Sequence, residues 1–151
     1  MNWYSKVRAD ISYLPNCLEY YYAELDKAKA EVKIYGSVEK ASAALPGVVE
    51  QRFNQLQEIE SILEHLNIQL RKIKSKLFRQ YLEKYNKILS SRDADRYVEG
   101  EVEVVDMEEI INEVALLRNN WLGIIKGLEI KGFQINNLIR LKVAGMEDFN
   151  V

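Results

Sequence analysis

Residues 51–89 read QRFNQLQEIESILEHLNIQLRKIKSKLFRQYLEKYNKIL and contain neither glycine nor proline. Apolar side chains recur in this stretch at alternating steps of three and four residues. They are Leu56, Ile59, Leu63, Leu66, Leu70, Ile73 and Leu77. Such spacing keeps one face of a slightly underwound helix against a partner helix. The pattern predicts a long helix over about residues 48–89.

The charge of the chain reverses beyond this apolar seam. Between Arg71 and Arg92 there are eight Lys or Arg residues and one acid, Glu83, which gives the segment a net charge of +7. Residues 98–113 then carry seven acids and no Lys or Arg, while the whole chain has a net charge of −2. The two blocks could neutralise each other, or the basic one could bind a polyanion.

Composition favours an all-α protein. Two prolines and seven glycines in 151 residues leave little room for the frequent turns of a β-rich fold. No apolar run approaches the ~20 residues that span a bilayer, so we expect a cytoplasmic protein that does not bind membranes. A single cysteine and a single histidine exclude an intrachain disulfide and a zinc cluster, and we expect no cofactor.

Apolar spacing, prolines and capping residues also predict the helices and loops on either side of the long helix. A helix should run from Pro15 to about Gly36, and residues 37–45 should form a short helix or ordered loop before Pro46 opens the long helix. Residues 90–105 have the composition of a loop that ends in a brief extended piece. Asp106, with Glu109 three residues later, should cap the last helix.

The last helix carries two adjoining apolar stripes, which predict burial on two sides. The main stripe includes Trp121, Ile124, Leu128, Ile135 and Leu138, and Lys131 interrupts it where another apolar residue is expected. Gly145 should end the helix.

Length then favours an elongated molecule. A helix over residues 48–89 is ~63 Å long, whereas a compact chain of this size is only ~40 Å across. We therefore predict an elongated helical bundle with two long helices that forms homo-oligomers. Residues 1–47 should form an N-terminal helical region, and residues 48–151 a DNA-binding and oligomerisation region with the two long helices. We expect both regions to belong to a single structural domain.

The basic segment is the leading candidate for a functional site. Lys72, Lys76 and Arg79 should share one helical face, and aromatic residues lie among them. Cations for phosphates and flat rings for bases are the combination that binds single-stranded nucleic acid. The predicted contact residues are Arg71, Lys72, Lys74, Lys76, Arg79, Tyr81 and Lys84. The alternative is a solvated basic face neutralised by the acidic block, with its aromatics in the core.

Other side chains give weaker signals. Tyr20, Tyr21 and Tyr22 could stack on bases, but aromatic clusters at helical spacing more often lie in a core. His65 falls between apolar positions of the helix, which is more typical of a surface or seam residue than of a general base. Cys17 has no cationic neighbour to lower its pKa, and no phosphate-binding loop occurs. We expect the protein not to be an enzyme.

The second half of the chain resembles a known family. Residues 132–139 read Gly-Phe-Gln-Ile-Asn-Asn-Leu-Ile, and the pair Trp121-Leu122 precedes them. A second pair, Tyr97-Val98, lies further upstream, with Tyr97 36 residues before Phe133. Together with the basic run at residues 71–81, they resemble the UvsY-type recombination mediators of T-even-like and cyanobacterial phages. The resemblance covers roughly residues 70–139.

The resemblance implies a helical protein that assembles into a ring-like homo-oligomer and binds single-stranded DNA. It also implies a function: helping to load a RecA-like, UvsX-type recombinase onto DNA covered by single-strand-binding protein. By the match, Lys72, Lys74, Lys76 and Arg79 would contact phosphates. The residues implied in assembly are Trp121, Ile124, Leu128, Phe133, Ile135 and Leu138. A rival hypothesis is a non-enzymatic scaffold or adaptor that binds proteins through the same seams.

Overall fold

The structure, a computed structural model, describes residues 2–85 and 90–145. These residues form five α-helices and a short 3-10 turn, and no β-strand occurs among them. The elements are α1 (Trp3–Ala9), the 3-10 turn (Ile11–Tyr13), α2 (Leu14–Val32), α3 (Val38–Tyr85), α4 (Ser91–Glu99) and α5 (Val102–Val143). The prediction of an all-α protein with two long helices is confirmed.

The long helix α3 begins at Val38 rather than near residue 48, so the prediction for its start was wrong. The Ser37 carbonyl accepts from Ala41 N at 3.0 Å, and the helix continues through Pro46. A proline inside a helix removes one N–H and leaves the carbonyl four residues earlier, here that of Ser42, without its donor. Both residues are exposed, so water can reach that carbonyl. Residues 86–89 of the predicted helix lie outside the described residues.

The region predicted as a loop is helical. Ser90 caps α4, its side chain accepting from Asp93 N at 3.2 Å. After the break at Gly100, α5 begins at Val102, so the extended piece and the cap expected at Asp106 were both wrong. Val104 is fully buried, and tertiary packing of this kind overrides a β-branched residue's local preference for extended backbone.

The chain forms two compact units. Unit 1 comprises Met1–Ile59 and Leu117–Val151, and unit 2 is Glu60–Leu116. Both long helices therefore contribute to both units.

In unit 1, the first part of α3 packs antiparallel to both α2 and the last part of α5, whereas α2 and α5 run parallel to each other. Glu39 near the start of α3 contacts Lys142 near the end of α5, and Arg52, further along α3, contacts Trp121, which comes earlier in α5. Trp121 lies at the centre of the core, and the Tyr21 ring meets it edge-on with 6.1 Å between centroids. Aromatic pairs in this geometry add to the stability that burial gives.

Two glycines in α5 have different roles. The helix passes through Gly127, where a Cβ would lie 2.9 Å from Val32 Cγ1, so this position allows α2 and α5 to approach closely. Gly145 has a φ of +80°, which glycine adopts without strain, and it follows the end of α5 at Val143. The predicted termination of the helix at Gly145 is confirmed.

Candidate nucleic-acid interface

Three of the predicted contact residues form an exposed cationic stripe on the part of α3 that belongs to unit 2. With 100° of rotation per residue, Lys72, Lys76 and Arg79 point within about 60° of one another. All three side chains are exposed. Within the described part of the chain, none of them forms an ion pair. We call these three residues the cationic stripe.

Lys74 lies on the opposite side of α3, since two residues rotate the helix by about 200°. Its Nζ is 3.0 Å from Glu99 Oε1 and 3.5 Å from Glu108 Oε1, and its side chain is 32% exposed. The hydrogen bond to Glu99 is the main cause of a pKa above the ordinary value for Lys74, although partial burial acts against it. Lys74, although predicted as a contact residue, therefore does not share the face of the cationic stripe. At this residue the acidic block neutralises the basic segment, as the alternative interpretation proposed.

Tyr81 also faces away from the cationic stripe. Its hydroxyl donates to a carboxylate oxygen of Glu101, and its ring stacks on that of Tyr97 with 5.6 Å between centroids and 20° between planes. Tyr81 is half-buried, whereas Tyr97 is 57% exposed. The two rings therefore form a platform whose outer ring is open to solvent.

Tyr97 was not among the predicted contact residues. Residues 90–97 are so polar that they resemble a loop, and only the four-residue spacing of Ala94 and Val98 indicates a helix. Both of these side chains are buried, which fixes α4 with Tyr97 against Tyr81.

The remaining two contact residues are exposed near the stripe's ends. Arg71 Nη2 lies 3.5 Å from Glu64 Oε1, and both side chains are largely in solvent. An ion pair of this kind is weak and is readily exchanged for another anion. Lys84, in the last turn of α3, is also exposed.

Most of the residues predicted to carry assembly lie inside the protein's own core. Trp121, Ile124, Leu128 and Ile135 are buried, and Leu138 is half-buried. A side chain buried within its own chain offers no surface to a second copy in this conformation. Phe133 differs, because 70% of it is exposed.

A buried ion cluster in unit 1 escaped the sequence analysis. Arg52 is 3% exposed; its Nη1 donates to Glu24 Oε2 at 2.7 Å, and its Nε donates to Glu31 Oε2 at 3.2 Å. The guanidinium also lies over the Trp121 ring, 5.7 Å from the centroid. Arg52 comes four residues before Leu56, the first residue of the apolar seam, so the two side chains share a helix face. This spacing was the sequence signal for the burial of Arg52.

The charges in this cluster depend on one another. Burial alone would raise the pKa of Glu24, but hydrogen bonds from Arg52, Gln55 and Lys27 outweigh it and hold the pKa below its ordinary value. The cluster is internal and structural, because Arg52 and Glu24 are both buried.

The tyrosine run on α2 divides between core and surface. Tyr21 is buried, and its hydroxyl donates to Glu58 Oε2 at 2.6 Å, whereas Tyr20 and Tyr22 are exposed. The interpretation as a core residue therefore holds for Tyr21.

Cys17, on the same helix, is also buried. Burial, with a smaller effect from the Glu58 charge, raises the pKa of its thiol to about 12. That thiol stays protonated near neutral pH, so it is a poor nucleophile.

The described residues offer neither a metal site nor a membrane-spanning helix. They contain no group of three side chains placed to hold a metal ion. Nor does any helix among them combine the length and apolar character needed to cross a bilayer. No protein-family model, curated protein or solved structure matches the chain.

Proposed function

We propose that this protein binds single-stranded DNA through the cationic stripe and acts, without enzymatic activity, as a recombination mediator. It would help to load a RecA-like recombinase onto DNA covered by single-strand-binding protein, working as a homo-oligomer. The DNA-binding part of the proposal rests on the unit 2 side chains. The recombinase part rests on the sequence resemblance of residues 70–139.

The observation that carries the proposal is the exposure of Lys72, Lys76 and Arg79 on one side of α3 while Lys74 is occupied on the other. The acidic block follows the basic segment closely in the sequence, yet the stripe keeps its charge available. Successive members of the stripe are separated by about 6 Å and 4.5 Å along the helix axis. Three cations in a row suit a linear polyanion better than a single small anion.

The stacked rings of Tyr81 and Tyr97 support the same proposal in a second way. Exposed aromatic faces hold unpaired bases without regard to sequence, and each stacked base contributes about 1–3 kcal/mol. Because the rings and the stripe lie on different sides of α3, they would contact different nucleotides.

The test is a fluorescence anisotropy titration of labelled oligo-dT with the full chain at several salt concentrations. If the three stripe residues each neutralise one phosphate, the logarithm of affinity should fall with the logarithm of salt at a slope of about −2. The triple variant K72A/K76A/R79A should lose most of this affinity and most of the slope.

A matched control removes the same side-chain types elsewhere. Lys29, Lys126 and Arg140 are exposed and form no ion pair with any described residue. The variant K29A/K126A/R140A therefore changes the net charge equally while leaving the stripe intact. Equal losses in both variants, or no binding by the unaltered protein at low salt, would refute the proposed interface.

Assembly and mediator activity need separate measurements. Light scattering with and without oligo-dT should show a homo-oligomer in both conditions. A RecA-like recombinase should begin strand exchange sooner on DNA coated with single-strand-binding protein when this protein is added. Assembly without DNA binding would instead favour the scaffold or adaptor function.

That second candidate has an observation of its own. Leu122, Ile130 and Phe133 are exposed apolar residues of α5 that point within about 80° of one another. Exposed apolar side chains gathered on one helix face are typical of surfaces that bind proteins. Replacing the three together by Ser should shift the light-scattering mass toward a monomer if this face joins subunits.

A further inference from the structure

A cleft in unit 1, remote in sequence from the basic segment of α3, is lined by three lysines from different parts of the chain. Lys33 directly follows α2, Lys40 lies in the first turn of α3, and Lys131 lies on α5. The cleft has a volume of about 450 Å³, and Tyr35 also lines it.

Lys131 is the lysine that interrupts the apolar stripe of α5. It is half-buried, and its Nζ donates to the backbone carbonyl of Glu31 at 2.6 Å. An ammonium group has three N–H donors, so this bond fixes its position in the cleft wall and leaves further donors for a ligand. Because burial of a charged group is costly, a lysine at this apolar position needs a partner.

The cleft is positively charged because three lysines and a single acid, Glu31, line it. The Glu31 carboxylate accepts from Arg52, which is buried behind it. Lys33 and Lys40 are exposed and form no ion pair with the described residues. Three ammonium groups around one cleft repel one another, and an anion between them would relieve that repulsion.

An aromatic ring completes the lining. Tyr35 is 68% exposed and precedes Gly36, whose φ of +72° turns the chain between α2 and α3. A large aromatic side chain so open to solvent buries little of its surface in the fold. A planar ring of a ligand could stack on it.

We propose that this cleft binds the phosphate of a nucleotide between Lys33, Lys40 and Lys131, with the base stacked on Tyr35. Charge-assisted hydrogen bonds from lysine suit phosphate oxygens, and the ring accounts for the base. A free nucleotide and one nucleotide of a single strand both present these groups, so the site fits either. The site shares no residue with the cationic stripe, so the two proposals stand or fall separately.

The experiment is an NMR titration of the uniformly ¹⁵N-labelled full chain with dAMP, and in parallel with deoxyadenosine and with inorganic phosphate. dAMP should shift the amide signals of Gly36, Ser37, Lys40 and Lys131 in a saturable manner. Deoxyadenosine lacks the phosphate and inorganic phosphate lacks the base, so each should bind at least about tenfold more weakly. Equal binding of either probe, or no shift at these amides with dAMP, would overturn the assignment.

Variants separate this site from a general attraction of anions. The variant K33Q/K40Q should weaken dAMP binding by about tenfold or more, whereas K29Q/K126Q, with the same charge change outside the cleft, should not. Equal effects of the two variants would refute the site. These measurements leave Lys131 and its structural hydrogen bond in place.

A final comparison uses the K72A/K76A/R79A protein, in which the cationic stripe is absent. dAMP should bind it as it binds the unaltered chain, even if the proposed DNA-binding function proves wrong. If oligo-dA shifts the same cleft amides in this variant, the ligand is a nucleotide within a strand. If only dAMP shifts them, the site takes the free nucleotide.

Discussion

Lys74 Nζ lies 3.0 Å from Glu99 Oε1, and this ion pair ties the basic segment of α3 to α4. Glu108 of α5 approaches the same ammonium at 3.5 Å. One lysine is thereby shared between two acids, while the cationic stripe on the other side of α3 keeps its charge. The acidic block thus neutralises the basic segment selectively.

Releasing Lys74 should change how the protein responds to salt. The variant E99Q/E108Q removes both carboxylate partners, so Lys74 becomes available to a phosphate and the salt slope for oligo-dT should steepen by about 0.7. The control E103Q/E109Q removes two exposed acids that do not contact Lys74. Anisotropy titrations at several salt concentrations measure both slopes, and the same change in both variants would contradict the role of Lys74.

Arg52 should contribute far more to stability than an exposed arginine of the same helix. The variant R52M keeps an apolar stem but leaves Glu24 and Glu31 without their cation, so the free energy of unfolding should fall by about 3–5 kcal/mol. In R71M the pair with Glu64 is lost from the surface, and the cost should stay below about 1 kcal/mol. Urea unfolding followed by circular dichroism measures both values. Similar losses would mean that the cluster is not effectively buried.

Acid should destabilise the protein in part through Glu24. Its pKa is lower in the folded chain than the ordinary 4.5, so its stabilising effect is complete above that value and is lost as the pH falls through the lowered pKa. The variant E24Q should be about 1–3 kcal/mol less stable at pH 7 but lose less stability than the unaltered protein on acidification.

Urea unfolding between pH 7 and pH 3 measures this difference. E19Q, which changes an exposed acid of the same helix, serves as the control and should follow the unaltered protein. An E24Q curve parallel to that of the unaltered protein would show that Glu24 does not contribute to acid sensitivity.

Two glycines of α5 should respond oppositely to the same substitution. In G127A the new methyl group would lie 2.9 Å from Val32 Cγ1, and a β-branched side chain cannot readily move away. Overpacking should outweigh the gain in helix propensity, for a net loss of about 1–2 kcal/mol. In G123A nothing lies within 4 Å of the added group, so stability should rise by up to about 1 kcal/mol. Thermal unfolding distinguishes the two signs, and a gain in both variants would contradict the close packing at Gly127.

The apolar seam was the part of the fold most readily predicted from the sequence. Its first four members, Leu56, Ile59, Leu63 and Leu66, are buried, because a helical repeat depends only on local geometry. The start of α3 was not predictable in this way, since Pro46 is a strong helix breaker and its tolerance depends on solvent reaching the Ser42 carbonyl. Nor was α4, whose polar composition conceals the two buried residues that hold it.

Only the part of the candidate site that depends on helical spacing was predictable from the sequence. Helical phase alone could separate Lys74 from Lys72, Lys76 and Arg79, because that phase follows from residue spacing. Which acid would meet Lys74 depends on the fold of residues 90–108, and the sequence analysis had placed a loop there. The lysine cleft needed three distant parts of the chain to meet, although Lys131 had already stood out as a charge at an apolar position.

Pro46 gives α3 a natural breaking point. The backbone hydrogen bond between the Ser42 carbonyl and residue 46 is missing. The turns from Val38 to Leu45 can therefore unwind without disturbing the rest of the helix. Deuterium should therefore enter the amides of these turns well before those of residues 56–66. The beginning of α3 would then act as a cooperative unit of its own, which opens and closes while the rest of the helix stays wound.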